Sequence, residues 1–261
     1  LVLSDVVGDR LDVIASGPFT ADPTTFAACG EILDRYRLRE RVPASVRRAI
    51  EAGASGRLPE TPKPGDRCLE RVSQAVVGSN RLSLEAAARR ARDLGYAPVV
   101  LTSMLEGESR EAAKFLASIA KECRVSHTPE APPACILAGG ETTVTLKGAG
   151  LGGRNQELAL ALALELEGWS DIVGLSGGTD GTDGPTDAAG AVATWETAAR
   201  GRESGAEPRD FLERNDSYRF FDRVGGLLRT GPTRTNVMDV QALLVGRTDG
   251  EKALERPVPG C

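Results

Sequence analysis

Val72-Ser73-Gln74-Ala75-Val76-Val77-Gly78-Ser79-Asn80 opens a strand, turn and helix whose pattern is then repeated. The apolar run predicts a strand over 72–77, and Gly78-Ser79-Asn80 turns the chain into an Ala- and Arg-rich helix over 82–94 that Gly95 stops. A second strand, Pro98-Val99-Val100-Leu101-Thr102, leads into a second helix over 109–123. Strands that alternate with helices bury both sheet faces under helices, so the predicted class is α/β with a parallel sheet.

Upstream of this repeat, Leu1-Val2-Leu3-Ser4-Asp5-Val6-Val7-Gly8-Asp9 reads as a buried strand that needs neighbours on both faces. Asp22 as N-cap and Pro23 as first helical residue predict a helix over 24–38, and a second is expected from Pro43 to Gly53. Residues 54–68 are a Pro/Gly-rich connection. Downstream, 124–133 holds three prolines without periodicity and reads as a linker, which divides the chain into a first domain over 1–123 and a second over 134–246. The second domain is expected to hold a strand over 135–138, a β-rich stretch over 142–146 and a helix over 155–166. Leu158, Leu162 and Leu166 recur on one face of that helix and are core. A buried strand over 172–175, a helix near Glu196, another over 208–221, and strands near Leu227 and over 240–245 complete it. The polar tail over 247–261 is expected to be loosely held.

Composition narrows the partners. A net charge of −5 with both signs interspersed offers no basic stripe for nucleic acid, and no apolar run is long enough for a membrane span. The expected partner is a small molecule. Five widely spaced cysteines without a Cys-x-x-Cys pair argue against a disulfide framework or structural zinc and for a reducing, cytoplasmic setting. His127 is the only histidine, which excludes a histidine triad within this chain, and the absence of any Gly-Lys dipeptide excludes an ordinary phosphate loop.

Thirteen of the thirty glycines fall between Gly139 and Gly190, in runs that include Gly139-Gly140-Glu141-Thr142, Gly152-Gly153-Arg154-Asn155 and Gly177-Gly178-Thr179-Asp180-Gly181-Thr182-Asp183-Gly184-Pro185-Thr186-Asp187. Such loops at the ends of rigid elements are where sites are built. Gly148-Ala149-Gly150-Leu151-Gly152-Gly153 fits a dinucleotide-binding turn, but the next strand ends in Ser176-Gly177-Gly178 with no acidic residue for a ribose. Arg154 and Asn155 instead stand at the mouth of a helix, where backbone N–H groups, the helix dipole and a guanidinium converge on phosphate or carboxylate. Asp180, Asp183 and Asp187 together suit Mg²⁺, an ion that prefers oxygen ligands.

These runs, with Leu3 through Asp9, Ile14 through Pro18, Gly78-Ser79-Asn80, Asn215-Asp216-Ser217 and Thr235-Asn236-Val237-Met238-Asp239, resemble the two-domain glycerate 2-kinases, whose C-terminal part is the MOFRL domain. The resemblance covers nearly the whole chain. It implies a Rossmann-like parallel-sheet domain, incomplete at its N-terminus, followed by a smaller α/β MOFRL domain. It also implies transfer of the ATP γ-phosphoryl group to the 2-hydroxyl of D-glycerate with Mg²⁺, in a cleft between the two domains.

Arg154 matches the arginine that the family is thought to use in catalysis. Ser79, Asn80, Gly139, Gly140, Glu141, Gly153, Asn155, Asn236 and Asp239 are then expected to bind substrate and nucleotide, and Asp180, Asp183 and Asp187 to hold the metal. Arg10, Phe19 and Arg234 depart from the family's usual proline, threonine and glycine. Members also carry an upstream Gly-Lys-Ala segment with a lysine assigned to catalysis, so this chain is expected to be an incomplete enzyme. Two rival readings are a hydroxypyruvate reductase, which would bind NAD(P)H at the glycine turn, and a non-catalytic domain for anionic metabolites.

Overall fold

The structure, a computed structural model, describes residues 1–247. The tail expected from Arg247 onward therefore lies, from residue 248, outside the described residues. The described residues form two compact units, one of Leu1 with Asp9–Ala75 and the other of Val2–Gly8 with the described residues from Val76 onward.

The smaller unit holds helices α1 (Phe26–Arg35) and α2 (Ala44–Ala54). α1 starts later than Asp22-Pro23 predicts, because Thr25 supplies the cap by accepting from the Ala28 N–H at 3.1 Å. Asp22 is occupied one step earlier, accepting from Thr24 N–H and hydroxyl.

The larger unit begins with two short parallel strands, β1 (Val2–Leu3) and β2 (Val76–Gly78). It continues through α3 (Asn80–Asp93), β3 (Ala97–Leu105), α4 (Ser109–Ser126), β4 (Ala134–Gly140), α5 (Arg154–Glu165), β5 (Ile172–Gly178), β6 (Gly190–Thr194), α6 (Thr197–Glu203), α7 (Pro208–Glu213), α8 (Ser217–Val224), β7 (Leu227–Leu228) and β8 (Asp239–Val245). The six later strands form one sheet in the order β3-β4-β8-β5-β6-β7. β3 and β4 are parallel, as strand–helix–strand alternation predicts. Every other pair in this sheet is antiparallel, so the sheet is mixed. The reason is local: the turn after Gly178 sends the chain straight back along β5 as β6 without a crossover helix, and β8 returns between β4 and β5.

Two-residue periodicity explains the layers. Along β4, Ala134, Ile136 and Ala138 pack toward α4 and α5, while Cys135 and Leu137 pack toward α3. β8 does the same, with Leu243 and Val245 on the first face and Ala242 and Leu244 on the second. α5 is the central helix, and Leu158, Leu162 and Leu166 are fully buried as predicted. A second cluster packs Leu160 of α5 against Phe211, Phe220 and Phe221, whose rings meet edge to face.

Several predicted elements differ. The buried strand expected over 1–9 is only the two-residue β1, with Leu3 exposed and β2 as its one paired strand, and the strand expected over 72–77 is the shorter β2 at Val76–Gly78. Residues 142–146 form no strand, only an isolated bridge between Thr143 and Glu108. The helix predicted over 208–221 breaks into α7 and α8 at Asn215, which takes a left-handed φ of 56° that asparagine tolerates. Among the described residues no helix is long and apolar enough to cross a membrane.

Candidate functional site

Toward the C-terminal ends of β4 and β5 the apolar pattern on the α5 face gives way to polar side chains. Ile172 is followed two residues at a time by Gly174 and then Ser176, and Val245 and Leu243 of β8 are followed by Gln241 and Asp239. All three polar residues are buried. Buried polar groups need partners, and the first turn of α5 supplies them. Gln241 donates to the Ser176 hydroxyl (3.2 Å), Ser176 to Asn155 Oδ1 (2.6 Å), and Asn155 Nδ2 to Asp183 (3.3 Å).

Arg154, the first residue of α5, reaches back to Asp239 in a two-pronged ion pair, Nε to Oδ2 at 2.6 Å and Nη2 to Oδ1 at 3.0 Å. Its Nη1 pairs with Glu141. Burial works against the guanidinium's charge, but Asp239 and then Glu141 outweigh it and hold its pKa above the ordinary arginine value. The two carboxylates differ in kind. Asp239 is 1% exposed and Glu141 is 43% exposed, so the first is a fixed anchor and the second can exchange its partner.

Arg154 faces a cavity of about 600 Å³, within the range of small-ligand sites. Thr142, Gly153, Asp180, Asp183, Asn215 and Ser217 are among the residues around it. Among the described residues lining it, Arg154 is the sole cation, against Glu157, Asp180 and Asp183. One wall is the glycine loop before α5. Asn215 Oδ1 accepts from the N–H groups of Lys147 (2.7 Å) and Gly148 (3.0 Å), and Asp216 accepts from Leu151 N–H (2.9 Å). A Cβ on Gly148 or Gly150 would lie 2.4 or 2.5 Å from the Arg214 carbonyl oxygen. The loop is thus pinned onto 214–216 and does not stand open as a dinucleotide turn would. Behind it, Asn215 donates to Glu157 (2.9 Å), which is paired in turn with Arg110 (2.8 Å).

The predicted metal trio does not converge. Asp183 accepts from the backbone N–H groups of Asn155 (3.1 Å) and Gln156 (2.8 Å). Asp187 is held by Tyr218 (2.8 Å) and Arg229 (3.1 Å) on the surface. Asp180 accepts from Thr182 in a local turn. Among the described residues no three His, Cys, Asp or Glu gather as a metal site, so the residues present do not fit a three-carboxylate Mg²⁺ centre. The cause is that each carboxylate already serves a nearby N–H, hydroxyl or guanidinium.

The other expected binding residues are distributed unevenly. Gly153 and Arg154 line the cavity, while Glu141, Asn155 and Asp239 reach it through Arg154 or Asp183. Ser79 caps α3, and the buried Asn80 donates to the carbonyls of Val237 (2.9 Å) and Asp239 (2.8 Å), tethering the segment that carries Asp239. Gly139 and Gly140 answer to packing: a Cβ would lie 2.1 Å from Asn80 Oδ1 and 2.3 Å from the Leu105 backbone, respectively. Asn236 is exposed and accepts from Met238 N–H at 3.0 Å. Arg234 has a φ of 64°, the left-handed region, which gives a backbone reason for the glycine usual at that place. Gln241, Ser176 and Arg110 carried no readable signal as site residues, although a polar residue at a core-facing strand position is the mark that could have found the first two.

Residues 134–239 match the MOFRL family, and residues 1–51 match a domain of unknown function (DUF4147). The chain is 44% identical over 253 residues to a glycerate 2-kinase of Pyrococcus horikoshii, covering 95% of this chain and 57% of that protein. It is 40% identical to a glycerate kinase of Macaca fascicularis, covering 94% of this chain and 71% of that protein. A crystal structure of a Thermotoga maritima glycerate kinase superposes with a TM-score of 0.84 at 44% identity, covering 94% of this chain and 56% of that one. The chain thus spans little more than half the length of some of these relatives. Sequence and structure agree that it belongs to the glycerate 2-kinase family with a MOFRL domain.

Proposed function

We propose that the complete protein containing this chain transfers the γ-phosphoryl group of ATP to the 2-hydroxyl of D-glycerate. The observation that carries this reading is a guanidinium facing a ligand-sized cavity while anchored from behind by a buried carboxylate. Phosphoryl transfer asks a protein mainly for positioning and charge neutralisation, and an arginine with a fixed orientation supplies both. Asp239 holds one edge of the guanidinium. Nη1, shared with the half-exposed Glu141, is the edge an incoming phosphoryl oxygen would take, with Glu141 swinging away.

The cavity's excess of acidic residues bears on cofactors. A polyphosphate would meet more negative than positive charge on the described lining, so further cations must arrive with the substrate or from elsewhere in the protein. Mg²⁺ accordingly enters with the nucleotide as part of the substrate, not from a site held by this chain's carboxylates. A lysine outside this chain, as the family resemblance implies, would add a second positive charge.

The finer architecture belongs to the same proposal. Parallel pairing of β1 with β2 supports a Rossmann-like first domain, and the MOFRL match beginning at Ala134 supports a second domain from 134 on, although β3, within 1–123, pairs with β4 across that division. The pinned glycine loop counts against NAD(P)H and hence against the reductase reading. A reducing, cytoplasmic location rests on the cysteine pattern. The test is ATP-dependent formation of 2-phosphoglycerate by the complete protein, beside calorimetry with ATP and with D-glycerate. Binding without turnover would leave only an anionic-metabolite domain, and hydroxypyruvate-dependent loss of NADH absorbance would favour the reductase.

A further inference from the structure

A helix N-terminus offers free N–H groups and a positive dipole end, and is therefore a ready place for a phosphate. At α5 that place is already filled from within the chain. The two carboxylate oxygens of Asp183 accept the N–H groups of Asn155 (3.1 Å) and Gln156 (2.8 Å), the residues that directly follow Arg154. Asp183 is 4% exposed. Its backbone is locked as well, since Gln156 Nε2 donates to the Asp183 carbonyl at 3.2 Å. The two loops interlock so closely that a Cβ on Gly153 would lie 2.4 Å from the Asp183 carboxyl carbon, and one on Gly184 would lie 2.3 Å from the Gly152 carbonyl oxygen. From the other side, the chain of Gln241, Ser176 and Asn155 ends on the same carboxylate.

We propose that Asp183 is a positioning residue, not a metal ligand: it clamps the first turn of α5 and so sets where the Arg154 guanidinium points. The proposal rests on the phosphoryl-transfer reading of the cavity. Arg154 is then held at both ends, its backbone by the Asp183 clamp on the next two residues and its side chain by Asp239. The Asn155 and Gln156 amides are therefore not free to bind phosphate, which makes the guanidinium the main phosphoryl contact that α5 provides.

Asp183→Asn keeps one acceptor and Asp183→Ser shortens the side chain, and both are to be made in the complete protein. Since a misplacement of about 1 Å can lower turnover by roughly 10²-fold, the expected result is a kcat reduced by about 10-fold in the first variant and about 10²-fold in the second. Backbone hydrogen exchange at Asn155 and Gln156 should quicken in both. The half-saturating Mg²⁺ concentration should stay within about twofold of the wild type, because no ligand to the ion is lost. Unchanged kcat in both variants, or a rise of about tenfold in the Mg²⁺ requirement with unaltered exchange at those amides, would overturn the proposal.

If the variants do not fold, Mn²⁺ alone added to the wild-type protein decides. Selective paramagnetic broadening of the Asn155 and Gln156 amide signals would place a metal at Asp183, and sharp signals would support the clamp. Should the wild-type protein itself fail to phosphorylate D-glycerate, the reading of the cavity falls, while the exchange rates still report whether Asp183 clamps α5.

Discussion

Arg154 and Arg229 each contact two carboxylates, yet they stand in opposite surroundings. Arg229 pairs with Asp187 and Asp222 on the surface, with all three side chains roughly half exposed or more. Arg154 pairs with Asp239, which is buried, and with Glu141, which is not. The contrast teaches that an arginine with two acids is not in itself a site. Solvent screens the Arg229 cluster and leaves little at stake in its geometry. Around Arg154 a missing partner would strand a buried charge, so the geometry is enforced, and the enforced guanidinium faces a cavity.

The sharpest way to break this comparison is Arg154→Ala, which should lower kcat of the complete protein by about 10²- to 10³-fold in a phosphorylation assay. It should also destabilise the fold by about 3–5 kcal/mol, since the Asp239 carboxylate loses its counter-charge in the interior. Adding Asp239→Asn to that variant should restore much of the stability in urea unfolding but none of the turnover. If stability is not regained, the buried pair is not what links Arg154 to the fold. Asp239→Asn alone should lower kcat by roughly 10²-fold through a loosened guanidinium, measured at saturating substrates.

Asp183 gives a pH-dependent test. Burial pushes its carboxyl up to about 6, against the two N–H donors that favour the charged form, with Asp239 adding in the upward direction. Its native pKa lies above the ordinary aspartate value, so the folded state holds the extra proton between pH 4 and 6. The stability tied to this group is therefore present below about pH 4 and lost as pH rises through about 6, a change on the order of 2–3 kcal/mol. Subtracting the Asp183→Asn unfolding curve from that of the wild type across this window isolates it. A flat difference would mean that the carboxyl titrates normally.

Glu141→Gln should release Nη1 and tighten binding of inorganic phosphate or ATP by a factor on the order of 3–10 by calorimetry, as expected when one competing charge is removed near the surface. Weaker binding would make Glu141 a direct substrate contact and not a displaceable partner. Arg229→Ala, the smallest expected effect, should leave kcat and the thermal midpoint unchanged within error. A loss of activity there would erase the distinction between the two arginines.

Much of the fold was legible because periodicity reports burial directly. The leucines of α5, the alternating faces of β4 and β8 and the strand–helix repeat over 76–126 each carry their pattern in consecutive residues. β6 was missed because Gly190-Ala191-Val192-Ala193-Thr194 is short and small-residue rich, and reads as an extension of the glycine loop. The start of α1 was misplaced because Asp22 and Thr25 are both good caps, and sequence alone does not rank them. At the site, the arginine was legible from its setting among glycines. The duties of its neighbours were not, since Asp180, Asp183 and Asp187 look alike in sequence and differ only in which donors the fold brings to them.

The sequence by itself determined the family, the α/β class and that Arg154 stands at a helix start after a glycine run, because these depend on residue identity and short-range pattern. Only the tertiary structure decided that Asp239 anchors Arg154, that Asp183 closes the helix end and that Asp187 belongs to the surface. Those assignments depend on contacts between residues 27 to 85 positions apart. Hydrogen bonds and ion pairs across such separations leave no periodic trace in the chain, and they exist only once the sheet and α5 have brought the partners together.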